Sequence, residues 1–298
     1  MIRKWGRYVR AAYPPSIQVT YQVSTAVGLT ALFAGVTGAV TRWRPDAELL
    51  ITAVTLLICM LMMRALDDIR DLDYDRELNP GRPLPSGMVS KRDLYTMIAV
   101  GSALVLLLNA GRGVVLGMLV VLMVYTGVVI YLDLAGWPNP DRMALQSAVN
   151  LPIQTLVCLY VYVGFLREEH LAPSVAGFAA VLAATAGVAC LEFGRKATRR
   201  PRPGERTYVH RLGASGTSYA GLASAVTATA IVVVALAPWR PGAGWGWLVL
   251  APLVLPGLAV VKFAAGAIRW PKKLTLAYIP AMYSSFVVVA VLMKGGIG

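Results

Sequence analysis

Carboxylates are scarce in this chain. Its 298 residues include 15 aspartates and glutamates against 28 lysines and arginines, with two histidines and three cysteines. Charged residues make up 14% of the chain, whereas a soluble domain carries about 25%. With 57% hydrophobic residues, a mean hydropathy of +0.63 and repeated apolar runs of about 20 residues, the deficit points to a polytopic membrane protein. Cys59, Cys158 and Cys190 lie inside apolar runs with no CxxC pair or histidine cluster, which excludes a zinc site and a disulfide framework. The net charge of +13 fits cytoplasmic loops of a membrane protein, so no nucleic-acid partner is expected.

Nine spans are expected, over 16–40, 46–66, 93–110, 113–132, 143–166, 173–193, 216–237, 244–266 and 274–294. The first exceeds a signal-peptide core in length and reads as a retained span. Turn-rich connections at 110–113, 136–140 and 239–246 separate several of them. With the N-terminus inside, the basic residues divide 22 to 6 in favour of the cytoplasmic side, where the other side holds Arg42, Arg44, Arg112, Arg167, Arg240 and Lys294. The expected fold is one all-α membrane bundle over 1–298, with two long polar cytoplasmic loops, 67–92 and 194–215, capping a site. Their separation by four spans hints at a four-helix unit used twice plus a ninth helix.

Six of the 15 acids, Asp67, Asp68, Asp71, Asp73, Asp75 and Glu77, fall within eleven positions at the end of the second span. If that helix continues, Asp68, Asp71 and Asp75 share a face at i, i+3 and i+7, Asp67 sits beside them, and Asp73 points away. Carboxylates so crowded repel one another unless a cation shares their charge. Oxygen-only ligands favour Mg²⁺ or Ca²⁺, and Mg²⁺ completes its shell with water and substrate phosphates. That predicts a diphosphate substrate at the cytoplasmic face. The bland alternative is a solvated acidic loop paired with Arg70, Arg76 and Arg82. Against it stand the shared face, the position at the membrane boundary and the stiff GRPLPSG turn that follows, in which Pro83 and Pro85 end the helix.

DDIRDLDYD followed by RPLPSG resembles the first aspartate-rich motif of the UbiA-type intramembrane prenyltransferases, whose usual form is Asn-Asp-x-x-Asp-x-x-x-Asp before an Arg-Pro-Leu-Pro-x-Gly turn. Asp67 stands at the Asn position; Asp68, Asp71 and Asp75 stand at the three Asp positions; Arg82, Pro83, Leu84, Pro85 and Gly87 match the turn. The resemblance implies an all-helical membrane fold, Mg²⁺-dependent ionisation of a polyprenyl diphosphate and transfer of the prenyl cation to an acceptor. It also implies a metal held by Asp67, Asp68, Asp71 and Asp75, with Arg82 near the diphosphate.

The family's second aspartate-rich motif is degenerate here. LEFGRKATRRPRPGERTYVHRLG keeps Gly204, Arg206, Thr207, Leu212 and Gly213 of the downstream part, but Glu192 is the one acid at the helix end, with Arg195 and Lys196 on its face. A diphosphate can be neutralised by guanidinium and ammonium groups as well as by metal. One acidic metal wall and one mixed wall of Glu192, Arg195 and Lys196 are therefore expected, Glu192 either completing the metal site or holding Arg195. Arg199, Arg200 and Arg202 read as loop charges touching lipid headgroups. Family members that prenylate aromatic acids often carry a basic pair near the end of the fourth span; YLDLAGWPNPDR lacks one.

Gln146, Asn150 and Gln154 form a polar stripe in the fifth span and Gln18 and Gln22 a similar one in the first, expected either to line the substrate pocket or to bond between helices. Tyr278 and Tyr283 offer π-faces to a carbocation, and Lys262 either snorkels or touches phosphate. The residues thus favour a membrane prenyltransferase using a prenyl diphosphate and a small-molecule acceptor of unknown identity. The rivals are a terpene cyclase of the same fold, and a transporter or lipid-binding protein with an acidic cation site; mid-membrane charges that a transporter needs are not evident.

Overall fold

The computed structural model describes residues 2–38, 40, 43–139 and 142–294. Arg42, Pro140 and Asp141, which enter the readings above, lie outside the described residues, as does position 39 of the first expected span.

Among the described residues nine helical segments are long and apolar enough to cross a membrane, and no named strand occurs. They are α2 (Pro15–Val36), α3 (Ala47–Arg70), α5 (Lys91–Asn109), α6 (Val114–Leu134), α7 (Met143–Glu168), α8 (Val175–Lys196), α9 (Val209–Leu236), a 3₁₀ stretch (Gly244–Leu253) running into α10 (Val254–Ala264), and α11 (Lys272–Met293). Two shorter helices complete the bundle: α1 (Ile2–Ala12), ahead of the first span, and α4 (Leu72–Leu78).

Local chemistry sets the ends. Asp46 caps α3 by accepting from Leu49 N, and Ser90 and Asp93 form a reciprocal capping box at the start of α5. Pro15 occupies the first turn of α2, where its missing N–H costs nothing. The eighth span begins as 3₁₀ with Pro252 inside it, a residue that cannot donate a helical hydrogen bond. Gly213, with φ 69°, bends α9 one turn after its start, so this span begins at Val209 and the expected loop 194–215 is shorter.

The bundle core is built from small residues where helices close up. α8 and α9 share the most extensive contact, and a methyl on Gly187 of α8 would meet Met282 Sδ at 2.6 Å and Ala228 Cβ of α9 at 3.6 Å. The expectation that the Gly- and Ala-rich sixth and seventh spans serve packing agrees with this geometry. α2 meets α11 the same way: a methyl on Gly28 would sit 2.8 Å from Tyr283 Cα, a backbone atom that cannot swing aside. Gly28→Ala is therefore expected to destabilise the bundle by about 1–3 kcal/mol, read as a lower denaturation midpoint in detergent. An unchanged midpoint would mean that the two helices separate freely.

At the end of the bundle away from the aspartate-rich segment, Arg112 enters the core. It is 4% exposed. Its guanidinium donates to Asn109 Oδ1 (2.8 Å), Tyr160 Oη (2.9 Å) and Thr52 Oγ1 (3.1 Å), and Nε lies 2.7 Å from Glu48 Oε2. This one side chain joins α3, the α5–α6 turn and α7; Nε meets Glu48 as an ion pair, outside hydrogen-bond geometry, while the two terminal nitrogens donate to oxygens.

Candidate active site

A cavity of about 1030 Å³ opens where α3 ends, bounded by α3, α4, α7, α8, the 197–208 segment and the start of α11. Nine basic and four acidic side chains line it, so it presents net positive charge to an anionic ligand. Deeper along α3, α7 and α8 its wall turns apolar, through Met60, Met63, Ile153 and Val188.

The aspartate-rich segment is not one continuous helix. α3 stops at Arg70, Asp71 takes φ −90° and ψ 13°, and α4 restarts at Leu72. Asp67 and Asp71 reach the cavity wall, with side chains 40% and 21% exposed. Arg70 lies between them, 3.1 Å from Asp67 and 3.3 Å from Asp71, and also 3.3 Å from Asp133 at the end of α6.

Asp68 and Asp75 are each 1% exposed and do not line the cavity. The expected common face of Asp68, Asp71 and Asp75 is thus corrected, and with it the expectation that Asp68 and Asp75 turn to a metal. Asp68 lies 100° around α3 from Asp67 and turns to α1, accepting from Tyr8 Oη (2.9 Å) and Arg64 Nη2 (2.6 Å). The break at Asp71 sends Asp75 inward, where Arg82 (2.5 Å) and Asn79 Nδ2 (2.9 Å) donate to it. Burial, and then the Asp68 charge, hold the Tyr8 phenol well above the usual tyrosine range, so it remains a donor. The two buried carboxylates each grip an arginine, and both arginines, Arg64 and Arg82, line the cavity. Asp73 is 92% exposed and pairs with Arg76, pointing away as its spacing predicts.

The facing wall comes from α8 and the segment after it. Glu192 and Arg195 line the cavity and pair at 2.7 Å, and Lys196 lines it with Nζ donating to the Arg206 carbonyl (3.1 Å). Gly194 lets this end of α8 close onto α11: a methyl there would meet Thr275 Cγ2 at 2.9 Å. Arg206 crosses the mouth to Asp71 (3.2 Å), its guanidinium 4.7 Å from the Tyr74 ring centroid. Glu205 accepts from Arg269 (3.0 Å) and from Arg202 N (2.8 Å). Burial works against its charge, but those two donors outweigh it and hold the carboxyl below its ordinary range. The Lys196, Arg202 and Lys272 side chains line the cavity with no carboxylate partner among the described residues.

Arg199 corrects a further expectation. It caps the C-terminal end of α10, donating to Phe263 O (2.8 Å) with its guanidinium 4.9 Å from the Phe263 ring. That contact pins the loop to the bundle and leaves the guanidinium committed to protein.

Gln146, Asn150 and Gln154 of α7 line the cavity opposite Thr185 of α8. Gln22, Tyr278 and Tyr283, expected in the same pocket, do not border it: all three are buried in the α2–α11 region of the core, the tyrosines fully. At Gly28 α2 closes directly onto Tyr283 of α11. Lys262 is exposed and outside the cavity, because α10 turns Ala259 and Phe263 inward and the lysine stands about 100° around the helix from Phe263.

Several residues at the site lay outside the sequence expectations: Arg64, Lys272 and Tyr208 line the cavity, and Asp133 holds Arg70 from behind it. Arg64 carries the signal of an i,i+4 pair with Asp68. Asp133 and Lys272 carry none, since only the meeting of α6 and α11 with α3 and α8 brings them in. Tyr208, hydrogen-bonded to Ser147 and 4.9 Å from the Phe193 ring centroid, closes the mouth on the α7 side.

Among the described residues no group of three or more His, Cys, Asp or Glu side chains stands ready to hold a metal alone. The cavity's donor set is two partly exposed aspartates, Asp67 and Asp71, with Glu192 across from them. Mg²⁺ usually takes one or two protein carboxylates and completes its shell with water and substrate phosphates, and this all-oxygen set fits that habit.

The bundle of nine spans and its charged cavity at the aspartate-rich segment meet the expectations for one family of membrane enzymes. A model of the UbiA prenyltransferase family matches residues 27–287, and the chain belongs to that family, whose members are membrane prenyltransferases that generally use a divalent metal. The fold is similar to the apo structure of a UbiA homologue from Aeropyrum pernix K1, with a TM-score of 0.60 and 20% identity over 90% of this chain and 97% of the other. It is also similar to a structure described for digeranylgeranylglyceryl phosphate synthase, with a TM-score of 0.55 and 15% identity over 97% of this chain and 99% of that one. No curated protein matches the chain by sequence.

Proposed function

We propose that this chain, as a single catalytic unit, is a Mg²⁺-dependent prenyltransferase working at the cytoplasmic face. It ionises an allylic polyprenyl diphosphate and passes the prenyl group to a hydrophobic or amphiphilic acceptor. The observation that carries this reading is the division of the cavity. Two open carboxylates, Asp67 and Asp71, stand on one wall, three cations without carboxylate partners on the other, and an apolar floor lies between them. The segments over 67–92 and 194–215 cap this space.

Asp67 and Asp71 would hold the metal, with Glu192 as a further oxygen donor. Bound there, Mg²⁺ supplies Lewis acidity that neutralises the diphosphate and stabilises it as a leaving group. Lys196 and Lys272 act on the phosphates as point charges and Arg202 as a fork; Arg64 and Arg82, anchored by buried aspartates, and Arg195 complete the cationic surround. Donors fixed in advance are most effective where charge develops as the C–O bond breaks. The apolar wall of Met60, Met63, Ile153 and Val188 receives the isoprenoid tail. Gln146, Asn150 and Gln154 offer neutral hydrogen bonds to the acceptor's polar end. At the end of α6, where members acting on aromatic acids carry a basic pair, this chain has Asp133, which favours an uncharged acceptor.

The test is diphosphate release by the purified protein with C10, C15 and C20 prenyl diphosphates, with and without hydroxylated acceptors. Turnover that needs both an acceptor and Mg²⁺, and that falls at least about a hundredfold with EDTA, is the expected result. Cyclised hydrocarbon formed without acceptor would move the reading to a terpene cyclase. No turnover at any chain length, together with no Mg²⁺-dependent binding, would overturn it. Lys196→Glu is expected to raise the KM for diphosphate at least about tenfold; unchanged kinetics would remove Lys196 from the site.

A further inference from the structure

The N-terminal helix α1 lies outside the residues matched by the family, yet it reaches the aspartate-rich motif. Its 11 residues are fewer than an isolated helix needs in water, so docking maintains it. Trp5, Tyr8, Val9 and Ala12, at i, i+3, i+4 and i+7, face inward onto Ile69 and Leu72 and onto Leu94 and Met97 of α5. Trp5 Nε1 donates to the Asp93 carbonyl (3.1 Å) and Lys4 pairs with the Asp93 carboxylate (3.6 Å), so α1 is tied to the start of α5. Tyr8 is fully buried and donates to Asp68.

The opposite face is of another kind. Arg3, Arg7 and Arg10, at i, i+4 and i+7, form one exposed row. None has an ion pair or side-chain hydrogen bond among the described residues. Lys91 and Arg92, at the start of α5, are exposed as well. A row of unpartnered arginines on a helix with an apolar inner face, lying where the first span enters the membrane, matches a surface of negative headgroups.

We propose that α1 is seated on anionic lipid by Arg3, Arg7 and Arg10, and that Tyr8 transmits this seating to the site by holding Asp68, which aims Arg64 into the cavity. Tyr8 is a positioning residue: it touches neither substrate nor metal and acts through Asp68 and Arg64. Membrane composition thereby sets how well the cavity binds its anionic substrate. The catalytic arm of this inference rests on the prenyl diphosphate reading above; the lipid-binding arm does not.

The full-length protein is reconstituted into vesicles of phosphatidylcholine alone or with 30% phosphatidylglycerol. Hydrogen exchange is followed over residues 2–12, and the KM for prenyl diphosphate is measured in parallel. The wild type is expected to show about tenfold slower exchange of α1 in the anionic vesicles, reversed by high salt, and a lower KM there. The triple variant Arg3→Gln, Arg7→Gln, Arg10→Gln is expected to lose both responses. Tyr8→Phe is expected to keep the exchange response and lose the KM response. Equal exchange in the two lipids, or a triple variant protected like the wild type, would overturn the seating. A Tyr8→Phe protein whose KM still follows the lipid would overturn the transmission. A protein with lipid-dependent exchange but no turnover of any prenyl diphosphate would leave the seating in place and sink the catalytic reading instead.

Discussion

Asp67→Asn together with Asp71→Asn is expected to lower kcat by at least about 10²–10³-fold without moving the denaturation midpoint appreciably. These two carboxylates open to the cavity, and their partners Arg70 and Arg206 are also held by other groups, Asp133 for the first and the Tyr74 ring for the second. The neighbouring aspartates should behave in the opposite way. Asp75→Asn leaves Arg82 without its counter-charge in a pair whose acidic end is 1% exposed, which costs about 1–3 kcal/mol. Its kinetic effect should appear in KM, through a misdirected guanidinium, more than in kcat. The assay is steady-state kinetics alongside detergent denaturation of all four single Asp→Asn variants. Should all four lose kcat alike while keeping wild-type stability, the division into an open pair and a buried pair would be wrong.

The second large effect lies at the far end of the bundle. Arg112→Ala is expected to cost about 1–3 kcal/mol, because it takes a donor from the buried Asn109 and Tyr160 oxygens and from Thr52, while Glu48, 29% exposed, keeps only Arg167 at 3.6 Å among the described residues. Glu48 is 19 residues from Asp67 along one helix, about 28 Å away. The folded fraction of Arg112→Ala should therefore keep a wild-type KM and kcat. Arg112→Met paired with Glu48→Gln should recover much of the stability, since replacing a buried charge pair with neutral groups is often close to neutral. A folded Arg112→Ala protein with impaired catalysis would instead tie that end of the bundle to the chemistry.

The spans were legible because bilayer thickness dictates length and composition together, and nothing else in the chain competes with runs such as Val114–Leu134. α1 was not legible. At 11 residues with four basic side chains it falls below any span criterion, and its helical state depends on α3 and α5. The aspartate-rich segment was legible as a place but not as a geometry. Helical spacing puts Asp68, Asp71 and Asp75 on one face, while the chain breaks at Asp71 because Arg82 and Asn79 draw Asp75 inward and Tyr8 and Arg64 draw Asp68 toward α1. Three of these four partners stand four to seven positions from their aspartates and the fourth sixty, and spacing alone does not tell which pairs form. The polar stripe of α7, for which cavity lining and interhelical bonding both stayed open, borders the cavity, whereas Gln22, Tyr278 and Tyr283 do not, since chemical type is the same whether a side chain borders space or packing. Lys262 illustrates the same limit: one step of helical rotation separates a phosphate contact from a lipid-facing lysine.

The pairing of buried aspartates with cavity arginines bears on how such a motif can be moved or redesigned. Grafting the segment from Asp67 to Asp75 into another helical bundle would carry two charges that only Tyr8, Arg64, Asn79 and Arg82 neutralise here. A scaffold lacking those donors would take up uncompensated interior carboxylates and would lose its fold before any substrate could be tried. The transplantable unit is therefore larger than the nine letters that announce it. It includes the Arg-Pro-Leu-Pro turn as a counter-ion carrier and the N-terminal helix as a hydrogen-bond donor.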